Sequence, residues 1–420
     1  MKTGAFVKIV FYILDDIEGL SQRPLFGGAR KQSGRAMKSK KDVAVYFSLL
    51  LSAANILGSS GLMVWIDHAI QLKAVGLSAY YPLVSYLLGL SFGCCLVGLI
   101  SARNSRVVSS EFFLFTLVFA FCICVVLSMG EDIFYDGFSL FLRFLWGWTS
   151  GCTVILGRSM LASSERSSYA QQNFSVLSLA LATLPLIVPM LFAVLGFYQR
   201  SMSAICASFV YAITIIFFLL SDVRIGVGDS CLVANDRDSR AGVGSCISLI
   251  VLNVCFFLTL MLVPMVRVMS FPSTSLVYFY WVVLCLWMFF GWLVVKCCRY
   301  ISVRFRLRAG YLLQSIMLVC CWMLFWGDYY IFVFMIFLIF LSNMLIQPIL
   351  FSSLGQHSRG KLLLFGVQSG LYIFIVCAVL VAAVFFVFTI NTIVWLLSGF
   401  IMLSLTCFVL FSTDFQKMNV

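Results

Sequence analysis

Runs of about twenty apolar residues recur along this chain of 420 residues, and each is long enough to cross a hydrocarbon core as a helix. That repetition limits the fold more than any motif does. Twelve such runs are predicted, at 43–64, 79–100, 108–128, 137–158, 173–196, 201–220, 244–267, 274–295, 309–326, 329–351, 362–387 and 390–412. Apolar residues are 62% of the chain and charged residues 10%, against about 25% charged in a soluble domain. A transmembrane barrel would instead alternate polar and apolar residues over runs of about ten. The expectation is an all-α integral membrane protein with twelve transmembrane helices.

The segment 221–243 is the longest connection between spans. It is charged and glycine-rich, and it divides the spans six and six. The expected organisation is a basic N-terminal tail (1–42), a six-helix bundle (43–220), an inter-bundle loop (221–243), a second six-helix bundle (244–412) and a C-terminal tail (413–420). Within the tail, residues 5–14 are too short to span, and a short interfacial helix is expected there. The charges support the count. With the N-terminus in the cytoplasm and the spans alternating, inside segments hold 24 of the 28 Lys and Arg residues. The outside holds Lys73, Arg200 and Arg267, and Arg143 lies within a span. This is the asymmetry of the positive-inside rule, and it places both termini in the cytoplasm. The net charge of +12 is accordingly assigned to topology and not to nucleic-acid binding.

Polar side chains are rare in the spans and unevenly distributed. Asn55 falls in span one, Arg143 in span four, Asn253 in span seven, Asn343 and Gln347 in span ten, and Gln368 in span eleven. Spans three and six contain no amide, Lys, Arg or His, span twelve has only Asn391 in its first turn, and span nine has only Gln314. Polar groups at membrane depth belong against protein or water. Spans one, four, seven and ten are therefore expected to line the interior, and spans three, six, nine and twelve to face lipid. Arg143 is the costliest of these residues, at roughly 2.5–3.5 kcal/mol near a helix centre on insertion scales. On a helix, Trp146 and Gly147 share its face. Gly147, Ser150 and Gly151 are small enough to admit a neighbouring helix. Each amide has a second reading, as a hydrogen bond that ties two helices together.

Sixteen cysteines occur, nearly all inside spans, with only His68 and His357 for company. No zinc spacing is present, and the thiols read as small apolar packers. No paired acids or acid–His pair stand within the spans, so an enzyme is not expected, and neither is a cofactor, a metal site or a set of catalytic residues.

The stretch 89–106, G-L-S-F-G-C-C-L-V-G-L-I-S-A-R-N-S-R, resembles the signature that runs from span two into loop 2–3 of the major facilitator superfamily. Gly89, Gly93, Gly98, Ser101, Arg103 and Arg106 match it, while Ala102 stands where the family has Asp and Ser105 where it has Gly. The Arg143 stretch resembles that superfamily's span-four motif, with Arg143 and Gly147 matching and Trp146 replacing a Gln. The prolines of A-T-L-P-L-I-V-P-M-L (182–191) are similar to those of the drug:proton antiporters, without the glycines expected after Pro189. Spans two to five look most like the bicyclomycin-resistance-like branch. The resemblance implies two bundles rocking about a central site, with Gly98, Arg103 and Arg106 gating at the cytoplasmic loop, and a bacterial inner membrane as the location.

Many relatives in that branch carry an Asp in the outer half of span one. Residues 56–65 here contain none. Asp67 or His68 is left as a titratable group at the outer mouth, with a proton or another ion as the coupling partner. The expected function is a secondary transporter of a small solute by alternating access, as in drug or metabolite efflux. An uncoupled, or anion- or zwitterion-specific (amino-acid-like), nutrient transporter is the alternative. A non-transporting receptor or scaffold on a transporter fold is a further one. Arg143, Trp146, Asn55, Asn253, Asn343, Gln347 and Gln368 are the expected substrate or coupling residues. The expected partners are a small-molecule substrate and the lipid bilayer, and the protein is expected to be a monomer.

Overall fold

The computed structural model describes residues 34–71, 76–103, 109–130, 136–162, 167–221, 236–270, 278, 280–286, 301–324, 329–356, 361–386 and 389–417. Residues Met1–Asp42 form one unit and Val43–Val420 another. The membrane-spanning segments all belong to the second unit. The expected interfacial helix at 5–14, Arg106 and the middle of the 221–243 connection lie outside the described residues.

The described elements are all helical. The helices are α1 (Gly34–Ser59), α2 (Leu62–Gln71), α3 (Tyr81–Arg103), α4 (Ser110–Gly130), α5 (Asp136–Ala162) and α6 (Ser167–Leu195). They continue with α7 (Ser201–Leu220), α8 (Asp236–Ser270), α9 (Val303–Met323), α10 (Tyr329–Gln356), α11 (Lys361–Phe386) and α12 (Ile390–Lys417). Ten segments among the described residues are long and apolar enough to cross a bilayer, and the protein is a multi-pass membrane protein. They coincide with the predicted spans except the eighth and ninth. Most of span eight lies outside the described residues, with 280–286 helical. Span nine is α9, whose opening turns carry Arg304, Arg306 and Arg308 and leave a shorter apolar stretch.

Span one is not one helix. α1 ends at Ser59, and α2 begins at Leu62. The Gly58-Ser59-Ser60-Gly61 step interrupts the ladder: the Gly61 N–H reaches back five residues to the Ile56 carbonyl at 3.4 Å, and the Met63 N–H donates to the Ser60 carbonyl, three residues back, at 3.1 Å. The crossing segment then runs on to Ile70, past the predicted end at 64. Asp67 and His68 therefore lie within it. The sequence boundary stops short because an acid normally marks a span end, whereas Asp67 is packed in the bundle and only 5% exposed.

The interior/lipid alternation expected from polar residues appears as burial. Spans one, four, seven and ten are 78, 72, 83 and 89% buried, against 39, 33 and 39% for spans three, six and twelve. Helix ends fix the antiparallel order. The Ser48 hydroxyl donates to the Gly157 carbonyl at 2.9 Å, and Phe47 packs on Phe113 and Phe218. The start of the first span, near Phe47 and Ser48, the start of α4 and the ends of α5 and α7 thus share one face of the bundle, the first face. The opposite, second face holds the starts of α5 and α7.

α3 is the element on which the first half of the chain meets the second. On one side it packs against α5, with glycines on both helices: a Cβ at Gly89 would strike the Phe144 carbonyl, one at Gly93 that of Trp148, and one at Gly147 that of Tyr86. On its other side lies α11, where a Cβ at Gly366 would sit 2.6 Å from the Cys94 carbonyl and 2.8 Å from the Gly98 Cα. The Ser91 hydroxyl donates to the Gly370 carbonyl at 2.7 Å. Small residues let these backbones approach closely where hydrophobic burial gives no net drive between helices in lipid. α10 packs on α6, α8 and α9, and α11 also touches α5 and α8.

Candidate functional site: two buried polar clusters

The first cluster belongs to the first half of the chain. Arg143 is fully buried. Its Nη1 donates to the Ser203 hydroxyl at 3.0 Å and its Nη2 to the Arg200 carbonyl at 2.7 Å, both at the start of α7. The guanidinium lies 5.2 Å from the Trp146 ring centroid. The indole Nε1–H of Trp146 donates to the Tyr211 hydroxyl at 3.3 Å. Ser150, one turn further along α5, is 2.7 Å from that same oxygen. Tyr86 packs edge-on against Trp146 and donates to the Asn55 side-chain carbonyl at 2.8 Å. Arg143, Trp146 and Ser150 share the face of α5 that their i, i+3, i+7 spacing predicts. That face is turned toward α7 and α3. The network ties spans one, two, four and six to one another, and Arg143 is an anchor for the start of span six.

The second cluster involves both halves. Arg158, at the first-face end of span four, is 4% exposed. Its Nη1 donates to the Ser369 hydroxyl on α11 at 2.5 Å, and its guanidinium lies 5.2 Å from the Phe351 ring on α10. Ser369 donates onward to the Gln368 side-chain carbonyl at 3.1 Å. The Gln347 amide on α10 donates to the Asn253 side-chain carbonyl on α8 at 2.9 Å. Three buried polar atoms here have no hydrogen-bond partner among the described residues: Asn343 Oδ1, Gln347 Oε1 and Gln368 Nε2. Their residues are at most 2% exposed. An unpaired buried polar group is costly, and each one calls for an explanation.

Four of the seven expected site residues, Asn253, Asn343, Gln347 and Gln368, thus belong to the second-half helices. Arg143, Trp146 and Asn55 lie in the other cluster. Gln314 of α9 accepts from the Ser404 hydroxyl at 2.8 Å and ties two helices. Gly98 is at the α3–α11 crossing, a packing position, and Arg103 is the last residue of α3. Asp67 is buried near Tyr280, with which it interacts electrostatically. His68 stacks on Tyr198 with ring centroids 4.8 Å apart. In residue order Arg158 reads only as a topology charge. Its sole distinguishing signal is its place in the last turn of a span otherwise rich in small residues.

A second contact between the halves closes the other face. The Tyr80 hydroxyl, at the end of the 3-10 turn Gly76–Tyr80, donates to the Met261 carbonyl of α8 at 3.2 Å. The Cys377 thiol of α11 approaches the Val84 carbonyl at 3.4 Å.

No family model matches the chain, and no curated protein does. Solved structures do. The human organic anion transporter MFSD10 (TETRAN) superposes with a TM-score of 0.63 at 17% identity, covering 87% of this chain and 99% of that one. An auto-inhibited POT family peptide transporter superposes with a TM-score of 0.57 at 13% identity, covering 88% and 96%. At these identities the likeness is one of architecture: the chain shares the fold of these two transporters.

Proposed function

We propose that the chain is a secondary transporter that moves a small polar organic solute by alternating access, with twelve spans arranged six and six and both termini in the cytoplasm. The observation that carries this reading is the pair of inter-half contacts at opposite faces, Tyr80–Met261 and Arg158–Ser369, with amides on the second-half helices at membrane depth that have no partner among the described residues. Opening either face requires breaking one set of contacts while the other holds, which is the logic of rocking bundles around a central site.

Among the described residues, the buried charged side chains are Asp67, Arg143, Arg158 and Arg306. Three of the four are cationic. An interior with that balance disfavours a simple organic cation, so a neutral, zwitterionic or anionic solute fits better than a cationic drug. Among these residues, a carboxylate for proton coupling is available only at Asp67, near the second face.

The test is counterflow in proteoliposomes. Vesicles preloaded with excess unlabelled solute are diluted into a trace of the labelled compound, across amino acids, small peptides, organic anions and drug-like cations. Transient accumulation of one class is expected. Passive equilibration without overshoot indicates a channel, and binding without flux indicates a receptor. Either result overturns the reading.

A further inference from the structure

The polarity of the second cluster points to the chemistry of its ligand. Arginine has donors only and cannot accept a hydrogen bond. Ser369 Oγ must therefore accept from Arg158, and its own proton is left for the Gln368 carbonyl. That order fixes the orientation of the Gln368 amide. Its oxygen is occupied, and its Nε2 is a buried donor with no acceptor among the described residues. Together, Arg158 and Gln368 Nε2 form a donor-rich, positively charged corner.

The opposite polarity lies close by. Gln347 donates its amide to Asn253, which leaves Gln347 Oε1 and Asn343 Oδ1 as buried acceptors without a donor among those residues. Asn343 and Gln347 are four residues apart on α10, about 6 Å on one helix face. Two aromatic contacts join the corners. Phe351, one turn beyond Gln347, lies under the Arg158 guanidinium. Phe257, one turn beyond Asn253, stacks on Tyr372, one turn beyond Gln368, with centroids 5.3 Å apart.

We infer that the region where α5, α8, α10 and α11 converge is a recognition site for a zwitterion with an apolar side chain, an amino acid or short peptide. Its carboxylate sits against Gln368 Nε2 and Arg158, and its ammonium against Asn343 Oδ1 and Gln347 Oε1. Buried donors and acceptors that lack partners among the described residues gain them from the ligand. A ligand lacking either charged end leaves one set unpaired, which is the strongest form of discrimination a polar site has. The Phe351, Phe257 and Tyr372 rings supply an apolar surface for the side chain. This inference rests on the transporter reading for its biological role but not for its chemistry.

The experiment measures binding to purified protein in nanodiscs, alongside counterflow. The ligands are phenylalanine, the dipeptide alanyl-phenylalanine, 3-phenylpropanoate (carboxylate only) and phenethylamine (amine only). At least one zwitterion is expected to bind, with both single-charge analogues roughly ten- to hundredfold weaker. Gln368→Met and Asn343→Leu should weaken zwitterion binding by a similar factor. Asn343→Leu removes a carbonyl with no partner among the described residues, whereas Gln368→Met also takes away the carbonyl that accepts from Ser369, so elution with the folded species is checked for both variants before binding is compared. As a second variant at the donor corner, Gln368→Glu should repel the carboxylate and weaken binding further. Equal binding of the single-charge analogues, or no binding of either zwitterion at millimolar concentration, overturns the inference. Zwitterion binding without counterflow sustains the inference and overturns the transporter reading. Counterflow of other solutes without zwitterion binding does the reverse.

Discussion

Arg158 and Ser369 stand 211 residues apart in the chain and are joined by a 2.5 Å hydrogen bond between buried side chains. The bond links the last turns of span four to the early turns of span eleven, and so links the two halves of the chain. Removing the serine hydroxyl leaves a buried guanidinium N–H without an acceptor. Hydrogen bonds to charged groups are worth about 1.5–3 kcal/mol. Ser369→Ala is therefore expected to lower the thermal midpoint in detergent by a few degrees and to abolish or slow counterflow. Ser369→Thr, which keeps the hydroxyl, should retain most of both.

Arg143 should behave differently, because its two terminal nitrogens are bonded to Ser203 and the Arg200 carbonyl. Arg143→Ala is expected to lower stability by about 2–4 kcal/mol through those lost charged hydrogen bonds. Arg143→Lys should fold but keep only part of the forked contact. Its KM for transport is expected to stay unchanged while its thermal midpoint falls. A double-mutant cycle with Ser203→Ala should give a coupling of about 1 kcal/mol. A raised KM at unchanged stability would instead put Arg143 in the substrate path.

The α3–α5 seam predicts a steep steric response. A Cβ at Gly93 or Gly147 runs into a backbone carbonyl of the facing helix, which cannot rotate away as a side chain would. Even Gly93→Ala or Gly147→Ala should cost about 1–3 kcal/mol by overpacking, and the Leu variants should fail to accumulate as a monodisperse species. Gly399→Ala on α12, where nothing stands within 4 Å of the added carbon, should be neutral or slightly stabilising. Size-exclusion profiles of the tagged protein check all of them.

The Asn253–Gln347 pair separates stability from recognition. Gln347→Leu alone strands the Asn253 carbonyl in the bundle and should cost about 1–3 kcal/mol. Adding Asn253→Leu removes that stranded group, so the double variant should recover much of the thermal midpoint. It should not recover transport, because the buried acceptor that Gln347 offers is gone. Thermal unfolding and counterflow on the three variants decide it.

Much of the architecture is legible in residue order alone. Span length and hydropathy set the helices, since lipid leaves the backbone no other way to satisfy its hydrogen bonds. The polar side chains inside spans one, four, seven and ten anticipate which spans are most buried, because a polar group cannot stably face hydrocarbon. The glycines at 89, 93, 98 and 147 anticipate close helix contacts on α3. Residue order leaves open which partner each polar side chain meets. Arg143 and Arg158 lie fifteen positions apart on one helix, about four turns, so they project toward nearby directions around its axis. They meet different neighbours because the helices surrounding α5 change from its second face to its first. Spacing along a chain says nothing about that. The interruption at Gly58–Gly61, the burial of Asp67 and the Gln368 donor without an acceptor among the described residues are likewise decided by tertiary packing. Each depends on which atoms of distant segments come within about 3 Å, and hydrogen-bond satisfaction is a property of that geometry rather than of residue type.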